Sequence, residues 1–146
     1  MSGLRSIQTV FAALVVASGA AGCSSTPVGV EALAGRYELR TVNARTVPVD
    51  ALGGALGGEL VLFDHGRVRR VVQYATSGIP GPITMRANGS YRVRGNDITL
   101  DLTDEPRGQL LARPWRVRGE VSSARIILRY EGRGGIATEE VYVRAP

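Results

Sequence analysis

Three observations predict an all-β domain, a sandwich or a barrel. Beyond residue 34, short segments alternate apolar and polar side chains with a period of two. Gly, Pro, Asn and Asp clusters separate those segments at short intervals. No stretch after residue 31 carries the 3.6-residue apolar period of an amphipathic helix. With 146 residues, 44% of them hydrophobic, the chain suits one domain and can bury one core.

The N-terminus reads as an address. Arg5 gives residues 1–22 a positive start, Val10 to Ala17 an apolar centre, and Ser18 to Gly22 a run of small residues. This is the grammar of a secretory signal, and the apolar run is too short to span a bilayer. Ala20-Ala21-Gly22-Cys23 resembles the bacterial lipobox, in which the cysteine becomes the lipidated first residue. Ala20 stands where that motif usually has Leu. Residues 23–31 then form a lipidated Cys23 and a polar tether, and residues 32–146 form the domain. By the same resemblance, Ser24 after the cysteine directs the chain to the outer membrane, facing the periplasm, if the host is Gram-negative. An ordinary signal peptide cleaved near Ala21 is the alternative.

The strands follow in order. Tyr37 and Leu39 alternate with Arg36, Glu38 and Arg40. A Gly-rich stretch, 53–58, leads to Leu60 and Leu62 and reads as a flexible lid or first loop; residues 48–56 hold at most a short turn of helix. Asp64-His65-Gly66 is a turn, after which Val68, Val72 and Tyr74 share one face. Residues 76–88 read as a loop because Pro80 and Pro82 cannot sit in a central strand. Tyr91 lies on the next strand, Gly95-Asn96 marks a tight hairpin, and Ile98, Leu100 and Leu102 alternate with Thr99, Asp101 and Thr103. After a loop at 104–114 come Trp115 and Val117, then Ile126, Leu128 and Tyr130, then a last strand at 139–144. The count is about eight strands.

Composition removes several chemistries. One Cys allows no internal disulfide and no zinc site, and one His leaves any Ser-His-Asp relay resting on His65. All 18 basic residues are Arg, which excludes Schiff-base lysines and the phosphate-loop lysine. With Lys absent everywhere, codon bias explains the all-arginine count better than selection for anion recognition does. Against 13 acidic residues the net charge is +5. Arg36, Arg40, Arg92, Arg94, Arg116 and Arg118 fall opposite apolar positions and so face solvent, where Glu38, Asp101 and Glu120 can pair with them across strands.

Gly35-Arg36-Tyr37-Glu38-Leu39-Arg40-Thr41-Val42-Asn43, followed by Val47-Pro48, resembles the first strand of small lipocalin-like, calycin-type bacterial lipoproteins. Leu60 to Gly66, Gly89 to Leu100, Gly119 to Leu128 and Val141 to Arg144 resemble that group's later segments in order. The likeness covers most of residues 34–144. The long loop at 103–114 and Ala44, where the group often has Gly, depart from it. The resemblance implies an antiparallel up-and-down β-barrel of about eight strands. It also implies structural parts for Gly35 and Arg144, with Arg144 lying on the Tyr37 ring. The group shares no biochemical activity.

Candidate sites divide by chemistry. His65 is a general base or metal ligand only if oriented partners exist, and otherwise a solvated turn residue. Asp64, Asp97, Asp101, Asp104 and Glu105 lack calcium-loop spacing. Arg67, Arg69 and Arg70 offer an anionic ligand or a lipid head group a place to dock, or simply form a charged outer face. Ile79, Ile83 and Met85 either line a barrel mouth or cap a filled core. No nucleic-acid platform is expected, because no aromatics interleave with the arginines. The expected inward set is Tyr37, Leu39, Leu60, Leu62, Val72, Tyr91, Ile98, Leu100, Trp115, Val117, Ile126 and Leu128. These residues line a cavity for a small apolar or amphipathic ligand, or constitute the core. The expectation is therefore a lipid-anchored, non-enzymatic envelope protein, without cofactor or metal, that binds such a ligand. The alternative is a protein-interaction or inhibitor module using its loops and an Arg-rich outer face.

Overall fold

The computed structural model describes residues 29–49, 53–76, 78, 80–106, 112–132 and 135–146. Residues 1–28, which hold the expected leader, Cys23 and most of the expected tether, lie outside the described residues, as does Ile79. One helical turn, α1 (Val30–Leu33), precedes β1 (Gly35–Val42), and the two-residue β2 (Arg45–Thr46) folds back on the end of β1. The other strands are β3 (Ala55–Leu62), β4 (Arg67–Tyr74), β5 (Ile83–Arg94), β6 (Asp97–Asp104), β7 (Pro114–Val121), β8 (Arg125–Glu131) and β9 (Ala137–Arg144). Each pairs antiparallel with its neighbour in the order β1-β3-β4-β5-β6-β7-β8-β9, and β9 pairs back onto β1. Eight long strands thus close into an up-and-down barrel, with β2 an extra strand at the rim.

Closure sorts side chains by parity. Along β6, Ile98, Leu100 and Leu102 are buried while Asp97 and Thr103 are exposed. Eleven of the twelve expected inward residues are buried, and Trp115 packs partly buried against them. Two inward positions must be glycine. A Cβ on Gly89 would stand 1.9 Å from the Asp101 carbonyl oxygen, and one on Gly119 1.9 Å from that of Ile127. Their absence lets neighbouring strands cross closely where the barrel bends.

The two ends differ. At one end the connections are short turns: 63–66, 95–96 and 122–124. There α1 lays Leu33, fully buried, across the barrel, and the Tyr37 hydroxyl donates to the Leu33 carbonyl at 2.9 Å. Arg144 fastens this cap. Its guanidinium lies 5.7 Å from the Tyr37 ring centre and donates to the carbonyls of Ala32 at 2.9 Å and Ala34 at 2.6 Å. Gly35, at φ +151°, leaves room for it: a Cβ there would meet the guanidinium at 3.1 Å. The other end carries the long connections after β1, β4, β6 and β8.

Three expectations need correction. The Gly-rich stretch is not a lid from residue 55 onward, because β3 begins at Ala55 and includes Gly57 and Gly58. At Gly58 a Cβ would crowd the Val71 carbonyl oxygen at 2.9 Å, so glycine serves strand packing there. The 76–88 loop ends early, at Pro82, and β5 pairs with β4 from Ile83 onward. The prolines block only the residues before that register. One helical turn exists where none was read, since four residues are too few to display a period.

Two outcomes follow. Gly119→Ala should lower the melting temperature, followed by circular dichroism, far more than Gly57→Ala, whose Cβ would meet nothing within 4 Å. Equal losses would contradict the close-crossing argument. Arg144→Ala removes a cation–π contact of about 0.5–2 kcal/mol and its carbonyl hydrogen bonds, a fall of several degrees.

Candidate functional site

Arg70 does not belong to the outer face with Arg67 and Arg69. Those two are exposed, whereas Arg70 keeps the parity of Val68 and Val72 and points inward at 4% exposure. The alternation Val68-x-Arg70-x-Val72-x-Tyr74 carried this signal, and the arginine's charge disguised it. Inside the barrel Arg70 meets Glu140, fully buried on β9, in a bidentate ion pair through Nε and Nη2. On β9 the parity runs against hydropathy: Glu140 and Tyr142 point in, and Val141 and Val143 point outward.

Three phenols complete the pair. Arg70 is a donor only and an ionised carboxylate an acceptor only, whereas a tyrosine hydroxyl is both. Tyr142 accepts from Arg70 Nε at 3.2 Å and donates to Glu140 Oε2 at 2.8 Å. Tyr130 accepts from Nη2 at 3.2 Å and donates to Glu140 Oε1 at 2.7 Å. Tyr74 accepts from Nη2 at 3.4 Å. Among the described residues no buried side-chain polar atom is left without a partner. The guanidinium also lies 5.7 Å from the Trp115 ring centre and 5.9 Å from that of Tyr130. These two rings meet edge-on at 5.2 Å, and the Trp115 indole donates to Asp104 at 2.9 Å.

The cluster sits toward the long-loop end. Tyr74 ends β4, Trp115 is the second residue of β7, and Tyr130 lies one residue from the end of β8, all partly buried. Beneath it, Tyr37, Leu60, Leu62, Ile98, Leu100, Ile126 and Leu128 are packed core. Of the five Arg70 N–H donors, those on Nε and Nη2 are committed. Nη1 makes no hydrogen bond with any described residue and is not among the fully buried atoms.

Electrostatically the cluster holds charge. Burial pushes both the Tyr142 and Tyr130 phenols up, so they remain neutral donors. Burial opposes ionisation of Glu140, but the Arg70 charge and the hydrogen bonds from Arg70, Tyr130 and Tyr142 outweigh it, and its pKa falls below the ordinary glutamate value. Burial likewise opposes the Arg70 charge, and the Tyr142 and Glu140 oxygens overcome that. Every shift moves a pKa further from pH 7, so the cluster is built to orient and not to exchange protons near pH 7.

The other candidates lie apart. His65 is exposed in its turn, with Nδ1 2.9 Å from Asp64 Oδ1 and its ring 5.7 Å from that of Phe63. Glu105 accepts from Asn88 at 2.8 Å, and Asp101 is held by arginines on the outer face. Ile83 and Met85 are partly buried on β5. Two hollows lie on the outside of the barrel, one beside Phe63, His65, Arg67 and Asn88 and one among Arg92, Arg94, Arg116 and Arg118. No protein-family model, no curated protein and no solved structure matches the chain.

A buried ion pair compares poorly with an apolar replacement but is costly to break from one side. Glu140→Leu alone should destabilise the barrel by roughly 3–5 kcal/mol, and Arg70→Met/Glu140→Leu together should restore most of that loss. Denaturant titration of both variants checks this. Because the native glutamate pKa is depressed, the Glu140 contribution is complete above about pH 4.5. It fades as pH falls through the native value. The stability difference between the single variant and the wild type should therefore shrink on acidification below pH 4.5.

Proposed function

We propose that the chain is a cell-envelope lipoprotein, anchored through Cys23, whose barrel is a non-catalytic binding module. It takes a small amphipathic ligand at the long-loop end. The observation that carries this reading is Arg70 Nη1, uncommitted in a cluster whose Arg70–Glu140 pair is otherwise satisfied. A hydroxyl, carbonyl or similar acceptor on the ligand takes its hydrogen bond from Nη1, while Trp115 and Tyr130 offer an aromatic surface to the apolar part. The ligand occupies the upper interior only, because the lower interior is filled by side chains.

The anchor fits this polarity. Six residue steps separate Cys23 from Gly29, a reach of about 20 Å at most. A lipid on Cys23 therefore keeps the α1-capped end near the membrane and turns the long loops away from it. In a Gram-negative host that presents the mouth to the periplasm from the outer membrane.

Both halves can be tested with the chain made from its own leader in a host with an outer membrane. The intact mass of the membrane fraction should fit a chain beginning at a lipidated Cys23, and Cys23→Ala should leave the membrane. Native mass spectrometry of the purified chain should show a reproducible excess mass that denaturation removes. The folded Arg70→Met/Glu140→Leu variant should lose that mass. A clean apo mass in the wild type, unchanged by exposure to an envelope lipid extract, overturns the binding reading.

A further inference from the structure

The outer face of β5, β6 and β7 repeats one arrangement twice, and the second copy is incomplete. In the first, Asp101 on β6 stands directly opposite Arg116 on β7 and Ser90 on β5. Arg92, two residues beyond Ser90, reaches across diagonally. Arg92 Nη2 donates to Asp101 Oδ2 at 2.8 Å and Arg116 Nε to Oδ1 at 2.6 Å, so one carboxylate is clasped by two guanidinium groups. That clasp holds the Asp101 carboxyl below its usual range, chiefly through the Arg116 hydrogen bond.

Stepping two residues along the strands reproduces both arginines, while Thr99 takes the place of Asp101 and Arg92 that of Ser90. Thr99 stands opposite Arg118 and Arg92, and Arg94 lies two residues beyond Arg92. Arg94 and Arg118 are thus related to Thr99 as Arg92 and Arg116 are to Asp101. Where the first clasp has a carboxylate, the second has only a hydroxyl. Neither Arg94 nor Arg118 forms an ion pair among the described residues, although Asp97 stands opposite Arg94. Arg118 also faces Arg129 across β7–β8, a like-charge juxtaposition that raises the local positive potential, even though Glu120 and Glu139 hold Arg129. The vacant place opens into a surface groove of about 510 Å³ lined by all four arginines, Asp97 and Thr99.

We propose that Arg94, Thr99 and Arg118 form an oxyanion seat that receives a carboxylate from an acidic segment of a protein partner. The same register already shows that this spacing of arginines grips a carboxylate, with Arg116 and Arg92 on separate oxygens. In the seat the incoming oxygens take N–H donors from Arg118 and Arg94, and the Thr99 hydroxyl donates from below. Since Thr99 and Arg118 are each paired to a strand on both sides, side-chain charge is the means of recognition at the seat. The seat lies outside the barrel and is independent of whether the interior holds a ligand.

The test fills the seat from within. Thr99→Asp supplies the missing carboxylate at the position equivalent to Asp101. The full-length chain, labelled with nitrogen-15, is titrated at low ionic strength with a tetraglutamate peptide and separately with inorganic phosphate. In the wild type the peptide should shift the Arg94 and Arg118 resonances saturably, with an affinity that falls as salt is added. In Thr99→Asp that affinity should fall at least tenfold while the melting temperature rises, and Arg118→Gln should lose the peptide without gaining stability. Equal peptide affinity in wild type and Thr99→Asp overturns the seat, as do shifts spread equally over Arg36 and Arg69. Tighter binding of phosphate than of peptide at the seat overturns the acidic protein partner.

Discussion

Closure of β9 onto β1 is the constraint on which the rest of the molecule depends. Once the first and last strands pair, the sheet has an inside of limited volume, and every strand must declare which parity faces it. Large apolar side chains fill the lower part. The same closure brings residues far apart in the chain to one level: Arg70 meets Glu140 and Tyr142 inside the barrel because the β9–β1 pairing leaves only two strands, β1 and β3, between β9 and β4. An open sheet of the same strands would leave Arg70 on a face reached by water, with its charge solvated and no need of Glu140.

Closure also makes the two ends unequal. Short turns, α1 and the Arg144 clasp seal one end with hydrogen bonds to helix-end carbonyls and a cation on the Tyr37 ring. The Arg70 cluster lies toward the other end, beneath the long connections. It is neutral as a whole, fully hydrogen-bonded apart from one guanidinium amine, and walled by aromatic rings. Such a layer costs desolvation that hydrophobic packing would avoid. It separates a dry core from the loop end and fixes the orientation of six side chains from four strands. A binding surface for an amphipathic ligand needs both of these properties.

On the outside the same parity produces the arginine ladder. Outward positions of neighbouring strands fall into rows, so a two-residue sequence repeat becomes a spatial repeat across three strands. Arg92–Asp101–Arg116 satisfies its charges internally and Arg94–Thr99–Arg118 does not. A single outward threonine thus separates a self-paired face from one with two guanidinium groups left to a partner.

The all-β class, most strand positions, and the Ile98-to-Leu102 and Ile126-to-Tyr130 inward faces were legible in the sequence, because period-two alternation is a local property of a half-buried strand. The pairing of Arg144 with Tyr37 was legible only through the Gly35-x-Tyr37 resemblance. Arg70, Glu140 and Tyr142 were not read as interior, since hydropathy assigns charged residues to solvent, and on β9 it favours Val141 and Val143 instead. Their burial was decided by strand parity together with closure, which supplies each charge with its opposite across the β9–β1 pairing. The Gly-rich stretch and residues 83–88 misled for a related reason: their local composition speaks of turns, while β4 offers both of them hydrogen-bond partners. Sequence by itself determined which segments are strands and which residues suit an apolar interior. Only the tertiary structure decided which charges could be buried and which were left unpaired, because both depend on residues that meet only when the barrel closes.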